Sequence, residues 1–409
     1  MIAALTPFRT RSFRYQWPAD LCTAWALEME TLILGWYVLV ETRSVVLLTV
    51  FGSLQFVGTL VSPLLGVLGD RLGLRNVLAA MRLSYALFAA VIFTLALLDQ
   101  LTPTAVLVVA AFCGLIRPTD IGMRSALVGA TVPPRELVAA MGISRTTMDS
   151  AKVGGALAGA GFMASFGMAT AYGFIIALYA LGVVLTLMVE GGGRGATRAE
   201  RPSPWRDLRE GLVYVWRTPR LLAAMTLAAL VNLTAFPFTG GLMPYIARDV
   251  FHLDQQGLGW MVASFAAGAL IGSVLISVFG PKVRAGRMMV GACVAWYLCL
   301  VGFAVATSLG LALALLVAAG IAQSLSMLSL AILLLRTSED RFRGRIMGVR
   351  MLAIYTLPLG LLIAGAIIPV IGYLASALGL LVVGLALLAW LALAWRADLL
   401  DGQALANRR

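Results

Sequence analysis

The chain has 409 residues, of which 61% are hydrophobic and only 12% carry a charge. A soluble domain has about twice that charged fraction, so the composition excludes an ordinary soluble enzyme and indicates an integral membrane protein. The net charge of +12 does not indicate nucleic-acid binding, because the basic residues fall in short breaks between apolar runs. Runs of about twenty apolar residues with basic breaks are typical of polytopic helical membrane proteins.

Six apolar segments in the first half of the chain are each long enough to cross a bilayer as a helix. They predict spans at residues 17–40, 45–68 and 77–98, a fourth ending near 126, a fifth at 139–165 and a sixth ending near 189. Short polar or proline-containing breaks separate them, so consecutive spans are expected to run antiparallel.

A change of composition follows the sixth span. Residues 190–204 are rich in glycine, arginine and proline, which predicts a linker with no capacity to pack. Ser203 and Pro204 then provide a cap and a first residue for an amphipathic helix. Its apolar face, which includes Leu212 and Trp216, indicates a helix that lies on the inner leaflet, and a soluble linker helix is the alternative.

Six more apolar segments make up the second half, at residues 221–246, 258–279, 288–307, 309–335, 346–368 and 372–395. The predicted fold class is therefore an all-α integral membrane protein, with twelve transmembrane helices in two six-helix bundles. The bundles are assigned to residues 1–189 and 220–409, with a cytoplasmic linker at 190–219. Such a repeat predicts a substrate site near the bilayer midplane.

The basic residues set the predicted orientation. Of the 31 lysine and arginine residues, only Arg43 and Arg248 fall in predicted outer loops. Arg117 and Lys152 fall within spans, and all the others, Arg82 and Arg124 among them, are assigned to the inner side. By the positive-inside rule this distribution predicts that both termini are cytoplasmic.

Ionisable residues within spans are costly, and they are therefore candidates for function. Here they are confined to the first half of the chain. The candidates for proton coupling are Asp20, Glu28, Glu30, Asp120 and Asp149. Their candidate charge partners are Arg117 and Lys152.

The stretch of residues 66–75, between the second and third spans, resembles the cytoplasmic loop signature of the major facilitator superfamily. The residues that match are Gly66, Asp70, Arg71, Gly73 and Arg75, while Leu74 stands where a second basic residue is usual. Three further stretches, 118–141, 208–215 and 343–348, are similar to a bacterial exporter branch that includes siderophore-secretion and multidrug proteins. The resemblance covers essentially the whole chain and implies the major facilitator fold.

The resemblance also implies roles for charged residues. In that family the loop acid, here Asp70, holds the inner ends of the second and eleventh spans together, and Arg345 or Arg350 would be its partner. The alternative is that these arginines only anchor the inner face. Glu30 falls where the family has a polar residue lining the cavity, so we favour Glu30 as the proton carrier and expect Glu28 to pair with a neighbouring helix.

Plainer interpretations of the other charges stay open. Asp149 and Lys152 are three residues apart, as are Arg117 and Asp120, so each pair can be a structural ion pair. Arg117 can instead meet an acid of the first span, since the first and fourth spans both line the cavity in this fold. Asp20 lies near the predicted inner end of its span and can be an interfacial residue.

The second half offers aromatic and hydrogen-bonding groups for a substrate cavity. The candidates are Asn232, Phe236, Tyr297, Gln323, Ser324, Ser326 and Tyr355. A mostly apolar wall with few polar groups suits amphipathic organic molecules better than sugars or ions. Pro237 and Pro358 are expected to bend the seventh and eleventh spans.

We therefore expect a secondary active transporter, most simply a proton-coupled exporter of drugs or siderophores that works by alternating access. It would act as a monomer in the bacterial inner membrane, with the proton gradient as its energy source and no cofactor or metal. One histidine and no nucleophile motif argue against an enzyme. The alternatives are a uniporter or importer of a nutrient or lipid, and a non-transporting membrane scaffold or sensor.

Overall fold

The computed structural model describes residues 2–59, 72–190, 204–279, 284–339 and 342–396. Within these ranges every regular element is a helix. Nine helical segments of the described residues are long and apolar enough to cross a membrane, and one of them, Arg345–Ile371, is interrupted at Tyr355. A multi-pass, all-helical protein is thereby confirmed, whereas the count of twelve spans in two bundles stays a prediction.

The described helices of the first part are α1 (Arg11–Thr42), α2 (Val45–Leu54), α3 (Leu74–Leu97), α4 (Pro103–Thr131) and α5 (Pro134–Leu187). Local sequence starts some of them. The Ser44 side chain caps α2 by accepting from the backbone N–H of Leu47, and Thr102 caps α4 in the same way through Ala105. Each cap satisfies a backbone donor that has no partner within its own helix.

The 54 residues of α5 are two helices joined at Gly167. The φ of 76° and ψ of 177° at this glycine lie outside helical geometry, in a region that is costly for any residue with a side chain. The break falls between the predicted fifth and sixth spans, so α5 carries both of them.

The described helices of the second part are α6 (Pro204–Arg217), α7 (Pro219–Thr234), α8 (Gln255–Phe279), α9 (Ala285–Val305), α10 (Leu309–Thr337), α11 (Arg343–Ile354), α12 (Thr356–Ile371) and α13 (Tyr373–Ala394). The predicted seventh span is interrupted at Ala235, just before Pro237, and continues in the short helical segments Phe236–Thr239, Met243–Tyr245 and Ile246–Val250. The eleventh is interrupted at Tyr355, just before Pro358. Proline causes such interruptions because it lacks a backbone donor and clashes with the preceding turn.

The chain divides into two compact units. One consists of Met1–Glu200 with His252–Ala263, and the other of Arg201–Phe251 with Ser264–Arg409. The predicted boundaries at the linker stay predictions. Every side chain of the candidate proton site described below belongs to the first unit.

In the first unit, α1 packs along α5 through a surface of glycines. A Cβ atom built on Gly155 would lie 2.8 Å from the Cβ of Glu28, and one on Gly159 would lie 2.9 Å from the Cα of Met29. One on Gly154 would meet the Trp25 ring at 2.5 Å. Small residues of this kind let two membrane helices approach closely. The contact brings the part of α1 that carries the two glutamates close against α5.

In the second unit, α8 and α10 meet through two glycines. A Cβ on Gly320 would lie 2.1 Å from the carbonyl oxygen of Phe265, and one on Gly268 would lie 2.0 Å from that of Val317. These distances join a side-chain atom to backbone, so a larger residue cannot be accommodated by a rotamer change. The two helices would have to separate.

We expect Gly320→Ala to destabilise the protein by about 1–3 kcal/mol, the usual cost of overpacking a close contact. The measurement is the melting temperature of the purified protein in detergent. Gly310→Ala is the matched control, because it lies in the same helix with nothing within 4 Å of its Cβ position. Equal melting temperatures for the two variants would contradict the close contact.

Candidate proton site

Glu30 lies on α1 and is only 6% exposed. Its Oε2 atom accepts a hydrogen bond of 2.8 Å from the hydroxyl of Tyr179, which α5 carries and which is fully buried. The buried hydroxyl of Tyr172, also on α5, is a second neighbour of this carboxylate. The carboxylate is therefore held by neutral tyrosine hydroxyls.

A small cavity of about 20 Å³ lies beside this carboxylate. That is room for about one water molecule. The polar groups that line the cavity are Glu30, Thr31, Gln55 and Arg117, and the rest of the lining is mostly apolar. A carboxylic acid can exchange a proton through a single bridging water. These features make Glu30 the candidate proton site of the described residues.

Arg117, on α4, connects this cavity to the second glutamate of α1. Its guanidinium donates to Thr31 Oγ1 at 3.0 Å and also to the Gln55 side chain. Its Nη2 atom lies 3.6 Å from Glu28 Oε1. The interpretation in which Arg117 meets an acid of the first span is confirmed, and the pairing of Glu28 with a neighbouring helix is confirmed with it.

The predicted pairing of Arg117 with Asp120 is wrong. Asp120 is fully buried and pairs instead with Arg124, one helical turn further along α4. Residues four apart on a helix face each other as well as residues three apart do, so spacing alone does not choose between the two arginines. Arg117 pairs instead with Glu28 on α1.

A second group of buried charges lies among α1, α3 and α4. Asp20 pairs with Arg82, and its Oδ1 lies 4.0 Å from Nε of Arg124, which also pairs with Asp120. Arg82 donates to Thr186 as well. We call Asp20, Arg82, Asp120 and Arg124 the buried quartet. Its two positive and two negative charges cancel.

The quartet contains three residues that the sequence places near the inner side. Arg82 and Arg124 are 0% and 6% exposed and are ion-paired inside the unit. Asp20 is buried with them, and the side of the membrane on which the group lies stays a prediction. The positive-inside rule counts arginines near the ends of spans and cannot tell which of them turn inward to meet an acid.

Asp149 has a different partner from the one expected. Its Oδ2 atom lies 3.1 Å from Nε of Arg145, four residues earlier on α5, while Lys152 is exposed. The predicted Asp149–Lys152 pair is therefore wrong. Asp149 lies on the buried side of the helix, and Arg145 reaches it along the same face.

Part of the proposed gating loop lies outside the described residues, namely Gly66, Asp70 and Arg71. Gly73, with a φ of 86°, precedes α3, and Arg75 donates to the carbonyl oxygen of Val189 at 3.3 Å. The pairing of the loop acid with the eleventh span stays a prediction.

At the start of the eleventh span, Arg345 pairs with Glu210 of the linker helix α6, at 2.8 Å. Tyr214 of α6 stacks on Phe342, with ring centroids 4.3 Å apart. The predicted linker helix is confirmed, and one face of it is anchored on α11. Arg350, the other predicted latch residue, lies in α11 and is partly buried.

The predicted cavity residues of the second unit are mostly buried. Tyr297 is fully buried and hydrogen-bonds Thr234, while Ser326 is fully buried and donates to the Met289 carbonyl oxygen at 3.0 Å. Asn232 donates to its own helix. The remaining candidates, of which Ser324 is buried and the others partly buried, are Phe236, Gln323, Ser324 and Tyr355. Their role in binding stays a prediction.

Sequence reasoning missed three contributors to the site around Glu30. Tyr179 and Gln55 lie 149 and 24 residues from the residues that they contact on α1. The third is Tyr172, a buried tyrosine of α5 whose hydroxyl is close enough to Glu30 to interact with its carboxylate. A polar group in an otherwise apolar span was the available signal, but it does not reveal which acid the group approaches.

Residues 2–408 of the chain match the profile of a protein family described as transmembrane secretion effectors. A comparison with curated proteins finds no match. The family match therefore extends over the helices of both units.

Several solved structures of membrane transporters are similar to the chain. A mutant of the nucleoside transporter NupG has a TM-score of 0.73 at 16% identity, over 95% of this chain and 99% of its own. A POT family transporter in complex with 5-aminolevulinic acid has a TM-score of 0.73 at 12% identity, over 96% of this chain and 97% of its own. A D-xylose–proton symporter has a TM-score of 0.71 at 13% identity, over 93% of this chain and 97% of its own. At such identities the likeness shows a shared fold.

The buried quartet gives a stability prediction. Arg82→Met removes a buried guanidinium and leaves Asp20 short of positive charge, so we expect a loss of about 3–5 kcal/mol in the free energy of unfolding. The measurement is thermal unfolding in detergent. Arg209→Met, at an exposed arginine of α6, is the control and should leave the melting temperature unchanged.

The double variant Asp20→Asn with Arg82→Met removes both charges together, so it should recover most of that loss. If the double variant is no more stable than Arg82→Met alone, the two side chains are not coupled as the structure describes.

Proposed function

The chain belongs to the transmembrane secretion effector family of major facilitator transporters, and we propose that it is a proton-coupled exporter of small amphipathic organic molecules. It is a membrane transporter and not an enzyme. The finer proposal concerns the energy source, the direction and the substrate class. The single observation that carries it is the environment of Glu30.

A buried acid with this environment is suited to carry a proton. Burying the charged carboxylate costs far more free energy than burying the protonated acid, so a change in its surroundings changes how tightly it holds a proton. Tyr179 is a neutral donor and satisfies one oxygen in either state. The water-sized cavity that Glu30 lines is a candidate exit for the proton.

Arg117 supplies a counter-charge that is close but not bound to Glu30. It is held by Thr31, Gln55 and Glu28 around the same cavity. A rearrangement of α1 against α4 that moved this guanidinium towards Glu30 would favour the ionised acid, and the reverse movement would favour the protonated one. Alternating access would couple that rearrangement to substrate movement.

The substrate class is proposed from the second unit and from the family. Outward transport agrees with the secretion described for the family whose profile matches. The cavity candidates there combine aromatic rings with a few hydroxyl and amide groups, among them Phe236, Gln323 and Ser324. Such groups bind amphipathic molecules, of which drugs and siderophores are examples.

An importer or uniporter is the second candidate. The observation that favours it is the fold, which is shared with a D-xylose–proton symporter and a nucleoside transporter. A shared fold does not determine the direction of transport. The direction of net flux under an imposed proton gradient separates the two candidates.

The test is substrate flux in proteoliposomes, with panels of dyes and siderophores and an imposed pH gradient. We expect Glu30→Gln to reduce gradient-driven flux to the level seen without a gradient, because glutamine cannot exchange a proton. Substrate binding and gradient-independent exchange should persist. Glu41→Gln, at an exposed acid on the outer end of the same helix, is the matched control and should behave as wild type.

Two results would overturn the proposal. Gradient-dependent flux that survives Glu30→Gln would place the proton on another residue. Wild-type flux that ignores the gradient would make the protein a uniporter, whatever Glu30 does.

A further inference from the structure

A groove of about 440 Å³ runs between α9 and α10 in the second unit. Small residues line it, namely Gly291 and Ala295 on α9 and Ala318 and Ala322 on α10. Arg287, near the start of α9, is the one charged residue of the lining. The volume lies in the range of sites that bind small organic molecules.

The groove opens to the outside of the unit. Gly291 and Ala295 are exposed, whereas Trp296 and Leu300 of the same helix are fully buried on the opposite side. Because α9 has the length and composition of a membrane span, we infer that this exposed apolar surface faces hydrocarbon. An acyl chain matches the apolar lining of such a groove.

Its length fits one leaflet. The α9 residues that line it extend from Arg287 to Cys299, which corresponds to about 18 Å along a helix. Half of the hydrocarbon core of a bilayer is about 15 Å thick. A chain that lay in the groove would therefore extend from the charged end to about the middle of the membrane.

The charged end suits a phosphate group. Arg284 and Arg287 are both exposed, and they flank the first turn of α9, where backbone N–H groups have no partner within the helix. The amino end of a helix and two guanidinium groups all attract an anion. The positive-inside rule predicts that this end faces the inner leaflet, which is the one rich in anionic lipid.

We propose that this groove binds one anionic phospholipid, with an acyl chain between α9 and α10 and the phosphate at Arg287 and the amino end of α9. The charge near one end, the apolar lining and the length of about one leaflet together distinguish it from ordinary lipid-facing surface. The site lies in the second unit, whereas Glu30 lies in the first. The proposal therefore does not depend on the proposed proton chemistry.

The test is native mass spectrometry of the purified transporter, titrated with phosphatidylglycerol or with phosphatidylethanolamine of the same chains. The wild type should bind the first phosphatidylglycerol more tightly than the first phosphatidylethanolamine. Arg287→Gln should weaken the phosphatidylglycerol complex about fivefold, the factor expected for one arginine beside an anionic headgroup. Ala295→Trp fills the groove and should remove the tightly bound lipid of either kind.

Each variant has a matched control. Leu298→Trp places the same ring on the exposed surface of α9 outside the groove, and Arg217→Gln removes an exposed arginine at the end of α6. Both should bind lipid as the wild type does. Equal wild-type affinity for the two headgroups, or unchanged binding in both Arg287→Gln and Ala295→Trp, would overturn the proposal.

Discussion

Hydrocarbon cannot solvate a charge, and the interior of the first unit is arranged around that constraint. Asp20, Arg82, Asp120 and Arg124 cancel one another and tie α1, α3 and α4 together. Glu30 differs, because the group that holds it is a neutral tyrosine. This contrast between mutually paired charges and a carboxylate held by a neutral group is what supports the proposal for Glu30.

The spans were predictable because hydrophobicity over twenty residues is a strong signal. The span predicted at 17–40 lies within Arg11–Thr42, and the turn near 165 is the break at Gly167. Partners were not predictable in the same way. Asp149 pairs with Arg145 and not with Lys152, and Arg117 pairs with Glu28 on another helix. Such choices depend on helix rotation and side-chain reach, which hydropathy does not contain.

The linker helix α6 has a structural role that composition did not suggest. Glu210 pairs with Arg345, and Gly211 lies against Val349 and Arg345. The other face, including Trp216 at 76% exposed, is left open. The arginine expected to take part in gating is thus already engaged by the segment that joins the two halves, so any movement of the start of α11 also moves the linker helix.

The glycine surface between α1 and α5 has a mechanical consequence. Gly154, Gly155 and Gly159 present backbone where most helix pairs present interlocking side chains. A contact of this kind offers a smooth surface, with few side chains that would have to repack if one helix shifted against the other. On the α5 side of this contact, few side chains interlock with the helix that carries Glu28 and Glu30. A bulky residue at any of the three glycines would clash with α1 and disrupt this smooth contact.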